Sequence, residues 1–577
     1  MKKASLFLAG ILGIFFCFQA SAGRKEAPLD SLAVDLFQQW NTFMGGTSSN
    51  DIANDIALDP SGNIYVAGDS EATWGVPVNP FTGDRDVFVA KLNSNGAREW
   101  HTFLCPSQSW TDINIAVDGS GNSYVIGSSA ASWGAPISPH SGGTDTFVAK
   151  LNTDGELQWN TFLGTCTYFD FRGSIALDSS GNIYVTGCSM MEWGAPILPF
   201  NGGQDAIVVK LDNNGIRQWN TFLGSPDGDL GEAIAVTSAG DIYVAGRSQT
   251  TWGTPVHPHS GFGKDEVFVA KLDGNGVLQW HTFMGSAADD NASAITVDAT
   301  GNVFIAGVSA ATWGTPVNPF AGGNWEAFAA KLDSVGNLIW NSFLGGSSGD
   351  FPSREIAVDE GGNVYVGGSS FATWGTPILP YLGGSDAFLA KLDGNGVRQW
   401  NAFIGSVESE GCHSFARDAS GHFYLTGPGQ ATWGTPVNPH AGGDSYTDAF
   451  VAKLITQQTY AFSGFDSPID NPPIVNNAKA GSVIPVKWRI TDLDGTPISD
   501  PASFQSLTSF SVSCGSFSGD PVDALDEYSP GSSGLQYFGD GYWQFNWKTL
   551  KTYKGQCRIM VLTLADGSTH SASFSFK

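Results

Sequence analysis

Apolar and polar residues alternate along the chain in short blocks that recur about every sixty residues. In one copy the apolar runs are Ile356-Ala-Val, Val364-Tyr-Val, Ala387-Phe-Leu-Ala-Lys-Leu and Trp400-Asn-Ala-Phe-Ile. Each run is short and carries β-branched or aromatic side chains, which favours strands over helices. Turn-forming residues such as Asp393-Gly-Asn-Gly396 separate the runs and supply the backbone conformations that tight hairpins need. The pattern predicts four antiparallel strands, A to D, in each copy.

Two sets of tryptophans mark the copies. The first set lies in strand D and comprises Trp40, Trp100, Trp159, Trp219, Trp280, Trp340 and Trp400. The second set is always followed by glycine and comprises Trp74, Trp133, Trp193, Trp252, Trp313, Trp374 and Trp433. Self-similarity at this period is typical of repeat architectures, in which each unit buries its apolar faces against its neighbours. Four-stranded units of this length predict an all-β, seven-bladed β-propeller.

The ends of the repeat region predict how the sheets are completed. The first strand D, Gln38-Gln-Trp-Asn-Thr-Phe-Met44, precedes the first strand A, whereas the last copy ends with strand C at Phe450-Val-Ala-Lys-Leu454. We therefore expect the N-terminal strand to complete the last blade. This pairing would leave no three-stranded blade with an open edge.

The repeated motifs resemble a known family. The patterns W-x-TFLGG, IAVDxxGNxYVxG and DAFVAKLxxxG are similar to the bacterial seven-bladed β-propeller repeat found in secreted and cell-surface proteins, from about Phe37 to Leu454. The resemblance implies an extracytoplasmic binding or surface role. It supplies no defined activity and no catalytic motif. We assign residues 37–458 to the propeller.

The N-terminus predicts secretion. Met1-Lys-Lys is basic, the segment from Ala4 to Phe18 is apolar, and Ala20-Ser-Ala22 provides the small residues of a cleavage site. Residues 1–22 are therefore predicted to be a signal peptide, and residues 23–36 a leader. No later apolar run is long enough to span a bilayer, so we expect a protein that is secreted, extracellular or at the cell surface.

Residues 459–577 follow a different pattern. Alternating apolar residues in Ser482-Val-Ile-Pro-Val-Lys-Trp-Arg-Ile490 and Tyr542-Trp-Gln-Phe-Asn-Trp547 predict a β-sandwich. Pro485-Val-Lys-Trp488 is similar to the P-x-K-F motif of C-terminal Ig-like domains in bacterial surface proteins, with tryptophan in place of phenylalanine. The resemblance implies a spacer or an anchor.

The cysteines fit an oxidising compartment. Cys514 and Cys557 both lie at strand-like positions of the C-terminal region, which predicts a disulfide between them. A second bridge between Cys166 and Cys188 is an open alternative. Cys105 and Cys412 are predicted to be unpaired.

The net charge and the sequence motifs reduce the number of possible functions. The formal net charge is −27, and removal of the signal peptide with Lys2 and Lys3 makes it −29, which opposes binding to nucleic acid and anionic lipid. Gly345-Gly-Ser-Ser-Gly349 matches G-x-S-x-G, but it follows a strand and opens no helix. The sequence contains no H-E-x-x-H, paired C-x-x-C or phosphate-loop motif. We therefore predict no catalytic residues and regard enzymatic activity as the less favoured hypothesis.

Aromatic residues are the candidate ligand-binding groups. The D-to-A and B-to-C connections are long and lie on one face, which is the expected binding surface. One hypothesis is that the seven Trp-Gly tryptophans stack on sugars; the other is that they pack the fold because every copy has them. A unique site should lie where copies differ, as they do at Trp110, Tyr168-Phe-Asp-Phe171, Met190-Met191, Trp325 and Cys412-His413. Of these, Trp110 with Tyr168, Phe169 and Phe171 forms the best candidate.

Acidic loops raise a calcium hypothesis. Asp289 and Asp290 are adjacent in one D-to-A loop, and Asp227, Asp229 and Glu232 cluster in another. None of these loops has the D-x-[DN]-x-[DN]-G spacing of a calcium loop. We predict no cofactor and no metal ligands, and keep structural calcium as an alternative.

These observations predict a non-enzymatic binding or adhesion protein, a monomer, whose long-loop face engages an extracellular glycan or protein. One alternative is an extracellular polysaccharide lyase or hydrolase that uses acids at the mouth of the channel. Another is a structural component of the cell envelope. Fold alone does not decide between them.

The predicted cleavage site can be checked directly. Protein recovered from the extracytoplasmic fraction should begin at Gly23, because the small residues Ala20 and Ala22 precede it. N-terminal sequencing and intact mass measure this. An N-terminus at Met1 would contradict the prediction.

Overall fold

The computed structural model describes residues 34–577 except 107–112, 165–172, 261–262, 444–445, 459, 493–494, 516, 518–524 and 529–533. Within these ranges the chain is almost entirely β-strand, and its helices are two short 3₁₀ turns, Pro501–Ser503 and Lys551–Tyr553. The all-β prediction is confirmed.

The repeats form seven four-stranded antiparallel sheets in the described part of the chain, an arrangement consistent with propeller blades. The first contains β2 (Asp51–Leu58), β3 (Ile64–Ser70), β4 (Asp86–Leu92) and β5 (Arg98–Pro106); the second β6 (Asn114–Val117), β7 (Ser123–Ser129), β8 (Asp145–Leu151) and β9 (Leu157–Leu163); the third β10 (Ile175–Leu177), β11 (Ile183–Ser189), β12 (Asp205–Leu211) and β13 (Arg217–Leu223); the fourth β14 (Asp229–Val236), β15 (Ile242–Ser248), β16 (Glu266–Leu272) and β17 (Leu278–Met284). The fifth contains β18 (Asp290–Val297), β19 (Val303–Ser309), β20 (Glu326–Leu332) and β21 (Leu338–Leu344); the sixth β22 (Asp350–Val358), β23 (Val364–Ser370), β24 (Asp386–Leu392) and β25 (Arg398–Ile404); the seventh β26 (Ser414–Arg417), β27 (Phe423–Gly429), β28 (Asp448–Gln458) and β1 (Val34–Met44).

Short-range turn chemistry forms the hairpins inside each sheet. In the A-to-B hairpin of the third sheet, Oδ1 of Asp178 accepts hydrogen bonds from the backbone N–H groups of Ser180 and Asn182, each at 2.9 Å. Gly181 in the same turn has a φ of +79°, a conformation that side chains beyond glycine rarely adopt. Residues that initiate turns thus fold back on their own backbone, as their sequence pattern predicts.

The N-terminal strand completes the seventh sheet. β1 pairs antiparallel with β28, from Val34 opposite Gln458 to Met44 opposite Ala449. Phe43 and Met44 are buried by this pairing. The prediction that the first strand joins the last copy is confirmed, and the pairing begins three residues before the predicted start at Phe37.

Neighbouring sheets pack face to face. One core cluster combines Phe304 of the fifth sheet with Val366 and Phe388 of the sixth, and another combines Val451 of the seventh with Phe88 of the first. Burial of each such phenylalanine contributes roughly 1.5–3 kcal/mol. The core therefore lies between sheets, and each sheet depends on two neighbours.

The first strands of the sheets lie side by side in order. β2 contacts β6, contacts continue through β10, β14, β18 and β22 to β26, and β26 contacts β2. Side-chain hydrogen bonds link several of them across sheets, including Asn114 Nδ2 to the Gly173 carbonyl at 2.8 Å, Ser293 Oγ to the Ser353 carbonyl at 3.2 Å and Ser414 Oγ to Asp55 Oδ1 at 2.7 Å. We call the space that these seven strands surround the channel.

The C-terminal region has two further sheets. One contains β29 (Ala461–Asp466), β31 (Val483–Thr491), β35 (Tyr542–Lys548) and β34 (Leu535–Gly539), and the other contains β30 (Val475–Ala478), β37 (Thr569–Phe576), β36 (Cys557–Leu564), β32 (Phe504–Val512) and β33 (Leu525–Tyr528). They share a core that includes Trp488, Trp547 and Phe574.

The cysteine predictions have different outcomes. The disulfide between Cys514 and Cys557 is confirmed. Cys166 lies outside the described residues, so its bridge to Cys188 stays a prediction. Cys412 is buried, and its thiol donates to the Ser414 carbonyl at 3.4 Å. Among the described residues, no helix has the length and hydropathy of a membrane span.

Removal of residues 23–44 should prevent stable folding, because it strips β1 from β28 and removes the buried Phe43 and Met44. Loss of these side chains alone should lower the free energy of unfolding by roughly 3–6 kcal/mol. Thermal unfolding and size-exclusion chromatography measure the effect. Deletion of residues 23–33, which stops before β1, is the control, and equal behaviour of the two deletions would contradict the role of β1.

Candidate functional site

The channel contains a cavity of about 430 Å³. All seven first strands line it, from the level of Asp55 to that of Leu58. Because Leu58 directly precedes the A-to-B turn, the cavity lies in the half of the channel nearer those hairpins. Its volume falls in the range of cavities that hold small ligands.

One position in the channel breaks the repeat. The residue that precedes the Ile-Ala, Ile-Thr or Phe-Ala pair of each first strand is, in order, Asp55, Asn114, Ser174, Ala233, Ala294, Glu355 and Ser414. The fourth and fifth sheets supply alanine, while the other five supply polar groups. A change between alanine and a carboxyl group alters polarity and not only size, so this variation beside a cavity indicates a candidate site.

Asp55 is the most strongly held of these groups. Its Oδ1 accepts from Ser414 Oγ at 2.7 Å and from the Ile56 N–H at 2.8 Å, and its Oδ2 accepts from the Ile115 N–H at 2.8 Å. Burial raises the pKa of Asp55, while these hydrogen bonds and the charge of Arg354 oppose the rise. The side chain therefore connects the first, second and seventh sheets.

Glu355 lies in a different electrostatic environment. Burial, followed by the negative charge of Asp55, raises the pKa of Glu355 to about 8. At neutral pH the Glu355 carboxyl is thus mainly protonated and can donate a hydrogen bond. The two acids of the channel therefore differ in their hydrogen bonding, since the Asp55 carboxyl accepts from three donors that oppose the rise of its pKa.

His413 adds a neutral imidazole beside this group. Its Nδ1 lies 3.1 Å from the Ala53 carbonyl, which can only accept, so Nδ1 carries the proton. Burial, with the positive charge of Arg354 as a second cause, lowers the pKa of His413 to about 4. His413 is consequently neutral at neutral pH, and the cationic side chains that line the cavity are Arg354 and Arg417.

The aromatic candidates fall into two groups. Trp110, Tyr168, Phe169 and Phe171 lie outside the described residues, and their binding role stays a prediction. Of the seven Trp-Gly tryptophans, Trp193 is partly exposed, and the others, Trp74, Trp133, Trp252, Trp313, Trp374 and Trp433, are buried.

Protein groups cover the faces of the buried indoles. Trp74 stacks on His101 with ring centroids 4.0 Å apart, and Trp252 stacks on His281 at 3.9 Å. The Trp374 carbonyl accepts from Asn401 Nδ2 at 3.0 Å, which fixes the loop. Ligand stacking on these rings stays a prediction and requires the loop to move, whereas the packing hypothesis accounts for their burial directly.

Asp55, Arg354 and Glu355 were not among the sequence-predicted site residues. The signal that could have found them is the variable position of the first strand, visible when the copies are aligned on Ile56 and its equivalents. His413 was noted as a difference between copies, and the structure brings it to Arg354. Among the described residues, no three His, Cys, Asp or Glu side chains are arranged to hold a metal ion.

Comparison with known proteins supports the repeat. A family model described as a β-propeller repeat matches residues 39–73. Among curated proteins, the chain is 27% identical over 178 residues to the regulatory protein FlaEY of Caulobacter vibrioides. That match covers 29% of this chain and 18% of FlaEY, so the chain spans less than a fifth of the length of this relative.

Solved structures resemble the chain only distantly. An ulvan lyase of polysaccharide lyase family 25 is 11% identical, with 70% of this chain and 97% of that chain covered and a TM-score of 0.37. A GH43_12 protein from a capybara gut metagenome is 10% identical, with coverages of 81% and 89% and a TM-score of 0.28. A xylan β-1,4-xylosidase from Bacillus halodurans is 10% identical, with coverages of 92% and 91% and a TM-score of 0.27. At these scores, none of the three supports an inference about activity.

Glu355 should make stability depend on pH. Its folded pKa of about 8 lies above the ordinary value of 4.5, so its contribution to stability is complete below about pH 4.5 and is lost as the pH rises to about 8. Glu355→Gln should remove this component, which amounts to roughly 2–4 kcal/mol between pH 5 and 8.5. Denaturant unfolding at several pH values measures it. Glu360→Gln, at an exposed turn position, is the control, and identical pH profiles for wild type and Glu355→Gln would contradict the assignment.

Proposed function

We propose that the chain is a secreted or cell-surface binding protein, built from a signal peptide, a seven-bladed β-propeller at residues 37–458 and an Ig-like β-sandwich at 459–577. The seven sheets, the pairing of β1 with β28 and the contact of β26 with β2 support the propeller. Two sheets around one core and the Pro485-Val-Lys-Trp488 motif support the Ig-like domain. The disulfide between Cys514 and Cys557 supports an oxidising location.

The observation that carries the binding role is the uneven polarity of the channel. Glu355, Asn114 and Ser174 line the cavity on one side, and Ala233 lies on the other. Arg354 and protonated Glu355 can donate hydrogen bonds, while Asp55 and Ser174 can accept them. A ligand with many hydroxyl groups needs both hydrogen-bond donors and acceptors. The isoleucines of the same strands add apolar surface to the cavity wall. We therefore favour a glycan over a protein as the ligand.

Turnover is the second candidate function. A carboxyl with a pKa of about 8 beside a second buried carboxyl is the pattern in which one acid can serve as a proton donor. This pattern favours a polysaccharide lyase or hydrolase over other enzyme classes. The binding role is preferred because Asp55 is occupied by three protein hydrogen bonds, which leaves it poorly placed to attack or accept a proton.

A panel of neutral and acidic polysaccharides tests these functions on the mature chain. We expect retention of a glycan with no release of reducing ends or unsaturated products. Ser174→Ala and Glu355→Ala should each weaken binding about 3- to 10-fold, the effect of one lost hydrogen bond. Glu360→Ala is the matched control.

Other results identify the alternatives. Product release that Glu355→Gln abolishes would establish the enzyme. Binding that Trp110→Ala abolishes and Glu355→Ala leaves unchanged would place the ligand on the long-loop face. Absence of any ligand from the panel and from host-matrix proteins would favour a structural envelope component and overturn the binding role.

A further inference from the structure

Buried carboxylates meet in pairs where consecutive sheets join. In each pair, one acid begins the third strand of a sheet; the other begins the first strand of the next sheet or, for Glu410, lies four residues before that strand. Five such pairs lie within the described residues: Asp205 with Asp229, Glu266 with Asp290, Glu326 with Asp350, Asp386 with Glu410, and Asp448 with Asp51. They lie at the end of the sheets that carries the long loops, away from the channel cavity.

The pair of Asp205 and Asp229 shows how each acid is held. Asp229 Oδ2 accepts from the Ser225 N–H at 2.7 Å and from Ser225 Oγ at 2.8 Å, and its Oδ1 accepts from Ser248 Oγ. Asp205 Oδ2 accepts from the Asn201 N–H at 2.6 Å. Both residues are fully buried. Of the four carboxylate oxygens in this pair, Asp205 Oδ1 is therefore the one whose hydrogen bonding remains to be explained.

That oxygen has no hydrogen-bond partner. Asp205 Oδ1 is inaccessible to solvent and unpartnered, and the same is true of Oδ1 in its equivalents Asp86, Asp145, Asp386 and Asp448. A buried carboxylate oxygen without a donor is costly, so one such atom in a native fold calls for an explanation. Its recurrence in five sheets indicates a common cause.

In the pairs of Asp205, Asp386 and Asp448, the unpartnered oxygen lies on the side of the neighbouring acid. A Cβ added to Gly224 would lie 2.7 Å from Asp205 Oδ1 and 3.0 Å from Asp229 Oδ2, so the two oxygens face one small space. A Cβ at Gly405 would lie 2.8 Å from both Asp386 Oδ1 and Glu410 Oε2. A side chain at either glycine would fill this space, which explains glycine after strand D in these copies.

No described cation balances the pair. Within the described ranges, no Lys, Arg or His forms an ion pair with Asp205 or Asp229. Burial, followed by the charge of Asp229, raises the pKa of Asp205 to about 7, as expected for an acid that lacks a counter-charge. Two occupants would satisfy the oxygens, namely a shared proton or a divalent cation.

We propose that the space between the paired carboxylates of consecutive sheets binds a divalent cation of the calcium class. Hard cations select carboxylate oxygens and complete their shell with carbonyl groups and water. A cation between Asp205 and Asp229 supplies the missing partner and connects the third sheet to the fourth. The repetition of the pair makes this a series of structural sites, which stabilise the contacts between sheets independently of any ligand in the channel.

Calcium binding to the mature chain tests the proposal. After removal of metals with EDTA, titration with CaCl₂ at about pH 7.5 should show several ions bound per chain by calorimetry and elemental analysis. Affinities of about 10⁻⁴ to 10⁻³ M are expected for extracellular sites. Saturating CaCl₂ should raise the Tm by several degrees over EDTA. Asp205→Asn and Asp386→Asn should each remove one bound ion.

The controls make the outcome decisive. Asp212→Asn, at a hairpin turn remote from the pairs, should leave the number of bound ions unchanged. If either pair variant fails to fold, the wild-type stoichiometry and the EDTA effect still decide. A Tm that changes with neither EDTA nor CaCl₂, with no ion retained, would overturn the proposal and assign a shared proton to the pairs. Equal loss of ions in Asp212→Asn would overturn it as well, since binding would then be a surface effect.

Discussion

The structure depends on the burial of both faces of every repeated sheet. Each four-stranded sheet has apolar residues on both faces. Phe304 of the fifth sheet, for example, packs in one cluster with Phe388 of the sixth. A sheet of this kind is stable only between two neighbouring sheets. An open series would leave two such faces in water. The pairing of β1 with β28 and the cluster that joins Val451 to Phe88 remove both exposed faces. The longest-range contacts of the chain are thus those that complete its core.

This constraint separates packing residues from candidate functional residues. Trp74, Trp252 and their equivalents recur because each sheet needs a large ring between its loop and the next strand, and His101 or His281 covers that ring. The side of the first strand that faces the channel does not need a large ring for packing, since it borders a cavity rather than a neighbouring sheet. Variation is tolerated there, and the polar groups Asp55, Arg354 and Glu355 occur at that place.

Buried acidic side chains are stabilised differently in the channel and at the junctions between sheets. In the channel, three donors stabilise Asp55, while Glu355 becomes neutral. At the sheet junctions, pairs such as Asp205 and Asp229 have local donors for three oxygens and none for the fourth. Part of the formal charge of −27 is therefore in the interior. The charge of the outer surface is smaller than the composition suggests.

The sequence by itself determined what depends on neighbours in the chain. Strands, hairpins such as the Asp178 turn, the number of copies and the transfer of the first strand D to the last copy all follow from local pattern and from counting. The disulfide between Cys514 and Cys557 followed from compartment and strand position. Only the tertiary structure decided which side of each strand faces the channel, that the Trp-Gly indoles are covered, and that Asp205 meets Asp229 across a junction. These depend on the angle and spacing between sheets, which the packing of whole sheets sets and no single repeat encodes.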